Sequence, residues 1–173
     1  GAVVRQAVYL MQWDETRKAL QALAADIVDE ARFLLDTEKG NATKTLRSSL
    51  RYWIKETKTG FRIAFGARGA GAKYVRWVEE GRGPGRRPPM EPIKQWIKAK
   101  PLKLRDLKTG RFQRPTDRNV HSAAFLIARK IGREGTQGKR IFERAVNNYR
   151  PEIEELTKAM AKDITSYVRS PLK

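Results

Sequence analysis

The amino-acid sequence predicts an α+β fold with a long N-terminal helix, a small antiparallel β-sheet of hairpins, short middle helices and long C-terminal helices. Three observations indicate this class. Apolar residues recur at steps of three and four near the N-terminus, and they do so again after residue 117. Between them, residues 50–65 alternate in polarity around a turn that contains glycine. The chain of 173 residues suits a single domain.

The first predicted element is an amphipathic helix from Asp14 to Glu38. Asp14 and Glu15 lie in its first turn, where negative charge suits the helix dipole, and Gly40 supplies a stop. Its predicted apolar stripe consists of Leu20, Leu23, Ala24, Ile27, Val28, Ala31, Leu34 and Leu35. Residues 1–13 are predicted to form either a short helix or an arm that docks on a neighbouring subunit.

A β-hairpin is predicted next, around the turn at residues 58–60. One face of the hairpin is apolar and contains Leu50, Tyr52, Ile54, Phe61, Ile63 and Phe65. The other face carries Arg51, Lys55 and Arg62.

The segment from residue 66 to residue 89 is predicted to be largely irregular. Residues 66–73 are expected to form a flexible loop, because their Gly and Lys lack the spacing and the following Ser/Thr of a phosphate-binding P-loop. A short helical turn is expected to place Tyr74, Trp77 and Val78 on one side. The glycines and prolines of residues 81–89 break helices and central strands, which predicts a basic loop.

Three further elements complete the predicted fold. Glu91 to Lys100 forms a short helix with an apolar face, and Leu102 to Arg114 forms a second hairpin within a possible insertion at residues 101–116. Asp117 is expected to cap a helix with the stripe Val120, Ala124, Ile127, Ala128 and Ile131. A final helical region, which Pro151 kinks or splits, has the apolar residues Ile141, Phe142, Ala145, Val146, Tyr149, Ile153, Leu156, Met160, Ile164 and Tyr167.

The net charge of +18 is concentrated in the middle of the chain. Residues 1–40 hold five Lys/Arg against seven Asp/Glu, whereas residues 41–118 hold 21 against six. This asymmetry favours a polyanionic partner. The predicted contact residues are Lys73, Arg76, Arg82, Arg86 and Arg87, since arginine pairs with phosphate without reading sequence. The same loop also suits salt bridges to an acidic face of a neighbouring subunit, such as the first helix, and both interpretations stay open.

Residue types argue against most catalytic chemistry. The chain has no cysteine, which excludes thiolate sites. With His121 as its one histidine, most transition-metal sites are excluded as well. Ser122 beside His121 cannot face it correctly for a triad. A magnesium-dependent nuclease using Glu79 and Glu80, or the acidic group at residues 152–155, remains a third hypothesis. The sequence predicts no enzyme activity, catalytic residue, metal or cofactor. With no apolar run of about 20 residues, it also predicts a soluble cytoplasmic product and no membrane partner.

Two passages resemble the tail-completion or head–tail joining proteins of tailed bacteriophages. The first is Tyr74-Val-Arg-Trp-Val-Glu-Glu-Gly-Arg-Gly83, which leads through Arg87-Pro-Pro into a short helix ending near Ile97. The second runs from Ala124 to Gly132 and on through Gly135-Thr-Gln-Gly138 to Ile141-Phe-Glu-Arg-Ala145. The chain departs from the family at Arg82, where many members have threonine or serine, and in an enlarged segment at residues 100–118.

The resemblance implies a structural virion protein rather than an enzyme. Such proteins form a ring, here expected to be hexameric, at the neck or at the top of the tail. The ring completes the tail, contacts portal-adaptor, tail-tube and other neck proteins, and surrounds double-stranded DNA that it contacts without sequence specificity. Residues 1–13 and the predicted second hairpin would then be arms that reach adjacent subunits. The alternative is a free nucleic-acid-binding protein without sequence specificity.

Overall fold

A computed structural model describes residues 13–37, 44–57, 60–100, 103–106 and 109–169. The predicted α+β class is confirmed. Helices in the described residues are α1 (Asp14–Thr37), α2 (Thr45–Ser49), α3 (Ala72–Glu79), α4 (Met90–Ala99), α5 (Asp117–Glu134), α6 (Ile141–Asn148) and α7 (Ile153–Arg169). The proposed arm at residues 1–13 lies outside the described residues except for Trp13.

The strands pair as three separate antiparallel two-stranded sheets. They are β1 (Leu50–Thr57) with β2 (Gly60–Ala67), β3 (Gly81–Arg82) with β6 (Thr136–Gln137), and β4 (Leu104–Arg105) with β5 (Phe112–Gln113). The first predicted hairpin is confirmed, with Tyr52 opposite Phe65 and Ile54 opposite Ile63 on one face. The second hairpin is also confirmed, but its strands are only two residues long.

Helix α1 forms the centre of the main hydrophobic core. Of its predicted stripe, Leu23 is partly buried and the other seven residues are buried. Those from Ile27 to Leu35 pack against Leu50 of β1 and against Ile141, Phe142 and Ala145 of α6. Phe142 also stacks on Phe65 of β2, with ring centroids 5.7 Å apart. The three- and four-residue period therefore predicted the burial of this helix correctly.

A second hydrophobic cluster joins α4, α5 and β4. Ile97 of α4 is buried with Val120 and Ala124 of α5, and Leu104 of β4 packs against them. The intervening chain, residues 83–135, leaves the main body after β3 and returns to it at β6. The paired strands β3 and β6 therefore connect the two clusters.

One local prediction in the middle of the chain is wrong. Residues 66–73 are not a flexible loop, because β2 extends to Ala67, a 3₁₀ helix covers Gly69–Gly71, and α3 follows. A Cβ at Gly71 would lie 1.8 Å from the Ser49 hydroxyl oxygen, so this segment packs closely against α2. The helical turn predicted next is confirmed as α3, in which Val75 and Val78 pack against the core and Tyr74 and Trp77 are exposed.

The predicted cap of α5 is wrong by one residue. Thr116, not Asp117, is the N-cap: its side chain accepts a hydrogen bond from the Asn119 backbone N–H, and the Asn119 side chain accepts from the Thr116 N–H. This reciprocal pair is a capping box with asparagine in the third position. Asp117 instead pairs with Lys98 of α4 at 2.9 Å, which ties the two helices together.

The C-terminal region is split at Pro151 into α6 and α7, and the predicted stripe of α7 is wrong. Met160 and Ile164 are exposed, whereas Ala159 and Asp163 are buried. Asp163 of α7 lies beside the start of α1. Its carboxylate accepts hydrogen bonds from the Thr16 hydroxyl at 2.6 Å and from the backbone N–H groups of Thr16 and Glu15 at 2.8 and 3.1 Å. A hydrophobic period cannot reveal a carboxylate that caps a distant helix.

The pKa of Asp163 reflects two opposing causes. Burial would raise this pKa, but the hydrogen bonds from Thr16 and Glu15 outweigh it, so the pKa lies below its ordinary value of 3.8. A depressed carboxyl pKa stabilises the fold above the unfolded-state pKa. That stabilisation is lost as the pH falls through the folded-state pKa.

We expect Asp163→Asn to lower the free energy of unfolding by about 1–2 kcal/mol at neutral pH, because two N–H groups of α1 lose a charged acceptor. The deficit relative to wild type should be constant from about pH 5 to 8 and should shrink below about pH 4. Urea unfolding followed by circular dichroism measures both quantities. Asp14→Asn is the matched control, since Asp14 is exposed in the same first turn. An equal loss in both variants would contradict the capping role.

Candidate functional site

The two glycine-bearing passages of the sequence meet at the β3–β6 pair, where Gly81 lies opposite Gln137 and Arg82 opposite Thr136. Gly81 has φ +80° and Gly135 has φ +75°, a region that favours glycine. A Cβ at Gly81 would lie 2.4 Å from the Thr136 carbonyl oxygen, and one at Gly135 would lie 2.1 Å from the Arg82 carbonyl oxygen. Both positions thus require glycine for conformation and for close backbone contact.

Two more glycines extend this contact on either side. A Cβ at Gly138 would lie 2.3 Å from the Glu79 carbonyl oxygen. At Gly132 it would lie 2.9 Å from the Arg87 side chain, and the Gly132 carbonyl accepts a hydrogen bond from the Gly85 N–H at 2.8 Å. We call the contact made by β3, β6 and these glycines the glycine ladder. The sequence predicted a basic loop over residues 81–89, but residues 81–82 form an edge strand within this ladder, so that prediction is wrong for its first two residues.

Glu79 holds the start of α6 against the glycine ladder. Its carboxylate accepts hydrogen bonds from the backbone N–H groups of Phe142 and Glu143, at 3.2 and 3.1 Å, in the first turn of α6. Glu80 forms an ion pair with Arg76 at 2.8 Å. The two carboxylates of the hypothetical nuclease pair therefore have separate structural contacts, one as a helix cap and the other in a surface ion pair.

An open cleft of about 920 Å³ lies beside the glycine ladder. It is bounded by α3, β3, β6 and the start of α6. Its charged and aromatic lining consists of Arg76, Trp77, Glu80, Arg82, Lys139, Arg140 and Arg144. Five of these seven side chains are cationic and one is anionic, so the cleft is suited to an anionic ligand. We call it the basic cleft.

Local contacts orient the cations of the basic cleft. The Arg82 guanidinium lies 5.8 Å from the centre of the Trp77 ring, and its Nη2 donates to the Arg86 carbonyl. The hydrogen bond from Arg76 to Glu80, together with the charge of Glu80, raises the pKa of Arg76 above its ordinary value. Arg140 has φ +49° at the N-cap of α6 and lies 3.5 Å from Glu143. The arginine backbone is thus held in an unusual conformation at the cleft wall.

The structure separates the five predicted site residues. Arg76 and Arg82 line the basic cleft together. Arg86 is exposed beside them, whereas the Arg87 guanidinium lies 5.4 Å from the Phe125 ring of α5. Lys73 is exposed in the first turn of α3 and is not part of the cleft lining. The prediction therefore identified two of the cleft cations.

Sequence reasoning missed Lys139, Arg140 and Arg144 in the basic cleft. The available signal was the Lys-Arg pair directly after Gly138. Recognising it required knowing that Gly138 packs on Glu79, a contact between residues far apart in the sequence.

The acidic face of α1 is largely occupied by contacts within the chain. Glu15 pairs with Lys18, Asp29 with Arg32 and Asp36 with Arg47, while Glu30 accepts a hydrogen bond from Asn148. Few of its carboxylates are left for a neighbour's basic loop. This occupancy favours a polyanion over the first helix of another subunit as the partner of the basic cleft.

Other chemistries find little support in the described residues. No group of three or more His, Asp or Glu side chains there is placed to hold a metal ion. His121 is exposed on α5. Among the described helices, none is long and apolar enough to cross a membrane. Comparison with protein-family models, curated proteins and solved structures found no match to this chain.

Proposed function

We propose that this chain is a structural virion protein of a tailed bacteriophage. In this proposal it forms a ring, with six subunits expected, at the neck or the top of the tail. The ring completes the tail and joins it to the capsid connector around the DNA channel, in contact with portal-adaptor, tail-tube and other neck proteins. The protein folds in the host cytoplasm and acts in the virion, without catalysis or cofactor.

The glycine ladder is the observation that carries this proposal. The resemblance to the neck proteins rests on two separate passages, residues 74–97 and 124–145, and the ladder joins them backbone to backbone at Gly81–Arg82 and Thr136–Gln137. Chance similarity of two short motifs gives no reason for them to meet in the fold. Their union as one structural unit supports a common origin with the resembled family.

Exposed apolar side chains support an assembling subunit. Phe33 and Val168 are 62% and 75% exposed, and Val146, Met160 and Ile164 on α6 and α7 are 38%, 40% and 44% exposed. Met160, Ile164 and Val168 recur every four residues and so follow one side of α7. Large exposed apolar side chains of this kind are typical of protein–protein contacts.

The decisive experiment is native mass spectrometry of the purified chain together with negative-stain imaging. We expect a closed ring, either spontaneously or on addition of portal and tail-tube proteins of the same phage. A variant with Met160→Ser and Ile164→Ser tests whether the exposed side of α7 forms the contact between subunits. These side chains are exposed, so the variant should keep its fold and lose its ring. A chain that stays monomeric with every such partner would overturn the proposal.

The second candidate is a free nucleic-acid-binding protein without sequence specificity. The basic cleft favours it, because Trp77 beside Arg82 provides an exposed aromatic face among cations, the combination that binds nucleic-acid strands. In that case the same preparations would show monomers that coat DNA and never close into rings.

A further inference from the structure

The β4–β5 hairpin carries a second group of cations, distant in sequence from those of the basic cleft. Residues 103–114 contain five Lys/Arg and one Asp. Lys103, Arg105 and Arg114 are exposed, and none of the three forms an ion pair with another described residue. Lys98, by contrast, is paired with Asp117. The hairpin therefore presents uncompensated positive charge.

The single carboxylate of this hairpin, Asp106, organises its turn. It accepts hydrogen bonds from the Thr109 backbone N–H at 2.8 Å and from the Gln113 side chain at 2.5 Å. Its own N–H donates to the Arg111 carbonyl, and the Gly110 N–H donates to its carbonyl, both at 2.9 Å. These four bonds hold the short ribbon in one conformation, which lowers the entropy cost of binding through it.

An aromatic ring places the cations on one face of the ribbon. Phe112 is 58% exposed, and the Arg105 guanidinium lies 4.5 Å and the Lys103 ammonium 5.6 Å from its ring centre. Leu104, which precedes Arg105, points the other way and packs against α5. The ribbon thus has an inner apolar side and an outer side with two cations around one ring.

A groove of about 500 Å³ lies between this hairpin and α5. Arg105 and Arg118 line it with Thr116, Asn119 and Ser122, and Asp106 lines it as well. The Asp106 carboxylate accepts hydrogen bonds from Thr109 and Gln113, and the two guanidinium groups leave the groove with a net positive charge that suits a phosphate.

We propose that the β4–β5 hairpin is a ribbon that binds duplex DNA through its phosphates, without sequence specificity. A two-stranded ribbon fits the major groove, which is about 12 Å wide, and cations on it then reach the phosphates at the groove edges. An acidic protein partner fits less well, since protein interfaces have an apolar centre and few lysines. Interfaces with DNA are far more positively charged.

This inference shares only the DNA partner with the proposed function and does not require a ring. It also concerns the segment in which the chain departs from the resembled family, the enlargement at residues 100–118. The hairpin is therefore a property of this chain.

The test measures binding of a fluorescent duplex of random sequence to the full chain by anisotropy at several salt concentrations. The hairpin variant combines Lys103→Gln, Arg105→Gln and Arg114→Gln. Its matched control combines Arg150→Gln, Lys162→Gln and Arg169→Gln, three exposed cations on α7 and in the turn before it. Both variants lose three positive charges, so a difference in their DNA affinity depends on where those charges lie in the structure.

We expect the hairpin variant to bind about 100-fold more weakly near 0.1 M salt, with a salt slope lower by about 2–3, because each phosphate contact contributes about 0.9 to that slope. The control should lose about threefold or less, because distant charges are screened. Equal losses in the two variants, or unchanged binding by the hairpin variant, would overturn the proposal. So would a hairpin variant that keeps its DNA affinity but loses binding to a poly-aspartate peptide.

Lysine footprinting of the unmodified chain provides a second measurement that no folding defect can affect. DNA should protect Lys103 from acylation and leave Lys162 reactive; the reverse pattern contradicts the proposal. Ring formation is scored separately by native mass spectrometry. A hairpin that binds DNA in a chain that never forms rings would sustain this inference and overturn the neck proposal, and the opposite result would do the converse.

Discussion

Gly135→Ala is expected to lower the free energy of unfolding by about 3–5 kcal/mol, the largest stability effect of any single substitution considered for this chain. Two causes combine. A residue with a Cβ is strained at φ +75°, and the Cβ itself would lie 2.1 Å from the Arg82 carbonyl oxygen. The Arg82 carbonyl belongs to β3 and Gly135 directly precedes β6, so neither backbone can move without disturbing the β3–β6 pair.

Gly110→Ala separates these two causes. Gly110 has φ +69°, close to that of Gly135, but a Cβ there would meet nothing within 4 Å. We therefore expect a loss of only about 1–2 kcal/mol, from backbone strain alone. Thermal and urea unfolding of both variants measure the difference. If the two losses are equal, the close contact within the glycine ladder contributes nothing, and the structural union of the two passages loses its support.

The sequence predicted the elements whose evidence is local. A sustained three- and four-residue period predicted α1 and its buried side chains, and polarity alternation predicted the hairpin of β1 and β2. In both cases the pattern repeats over several turns or residue pairs. Repetition makes such a signal robust against single exceptions such as the partly buried Leu23.

The failures occur where one residue acts on a distant part of the chain. Asp163 interrupts an apolar helix face because it caps α1, and Gly138 contacts the carbonyl of Glu79 rather than merely breaking a helix. The partner in each case is at least 59 residues away. No periodicity encodes such a contact, so the basic cleft, which depends on the glycine ladder, could be predicted only in part.

Charge asymmetry predicted a basic surface but not its arrangement. Of the five predicted cations, two line the basic cleft, Arg87 contacts Phe125, Lys73 lies in the first turn of α3, and Arg86 is exposed beside the cleft. Whether a cation can bind another molecule depends on which groups of its own chain already contact it. Arg87 beside an aromatic ring and Arg76 beside Glu80 are partly satisfied within the chain, whereas Arg86 is exposed.

The last prediction tests what the basic cleft binds. A variant with Arg82→Gln, Arg86→Gln and Arg144→Gln removes three charges in and beside the cleft. It leaves Arg76, whose pair with Glu80 is part of the surface of α3, and Arg140, whose positive φ makes substitution ambiguous. Because these side chains lie outside both hydrophobic clusters, we expect the melting temperature to stay close to that of wild type.

For a DNA-facing cleft, this variant should bind duplex DNA about 100-fold more weakly near 0.1 M salt, with a salt slope lower by about 2–3, and should still form rings. For a cleft that contacts a neighbouring subunit, the ring should be lost and the DNA affinity of the monomer should change little. Anisotropy and native mass spectrometry on the same preparation distinguish these outcomes, with the Arg150, Lys162 and Arg169 variant as the charge-matched control. Wild-type behaviour in both assays would contradict any binding role for the cleft. The paired carboxylates of α1 make the first outcome the expected one, because an acidic neighbour would have to give up ion pairs that it already forms.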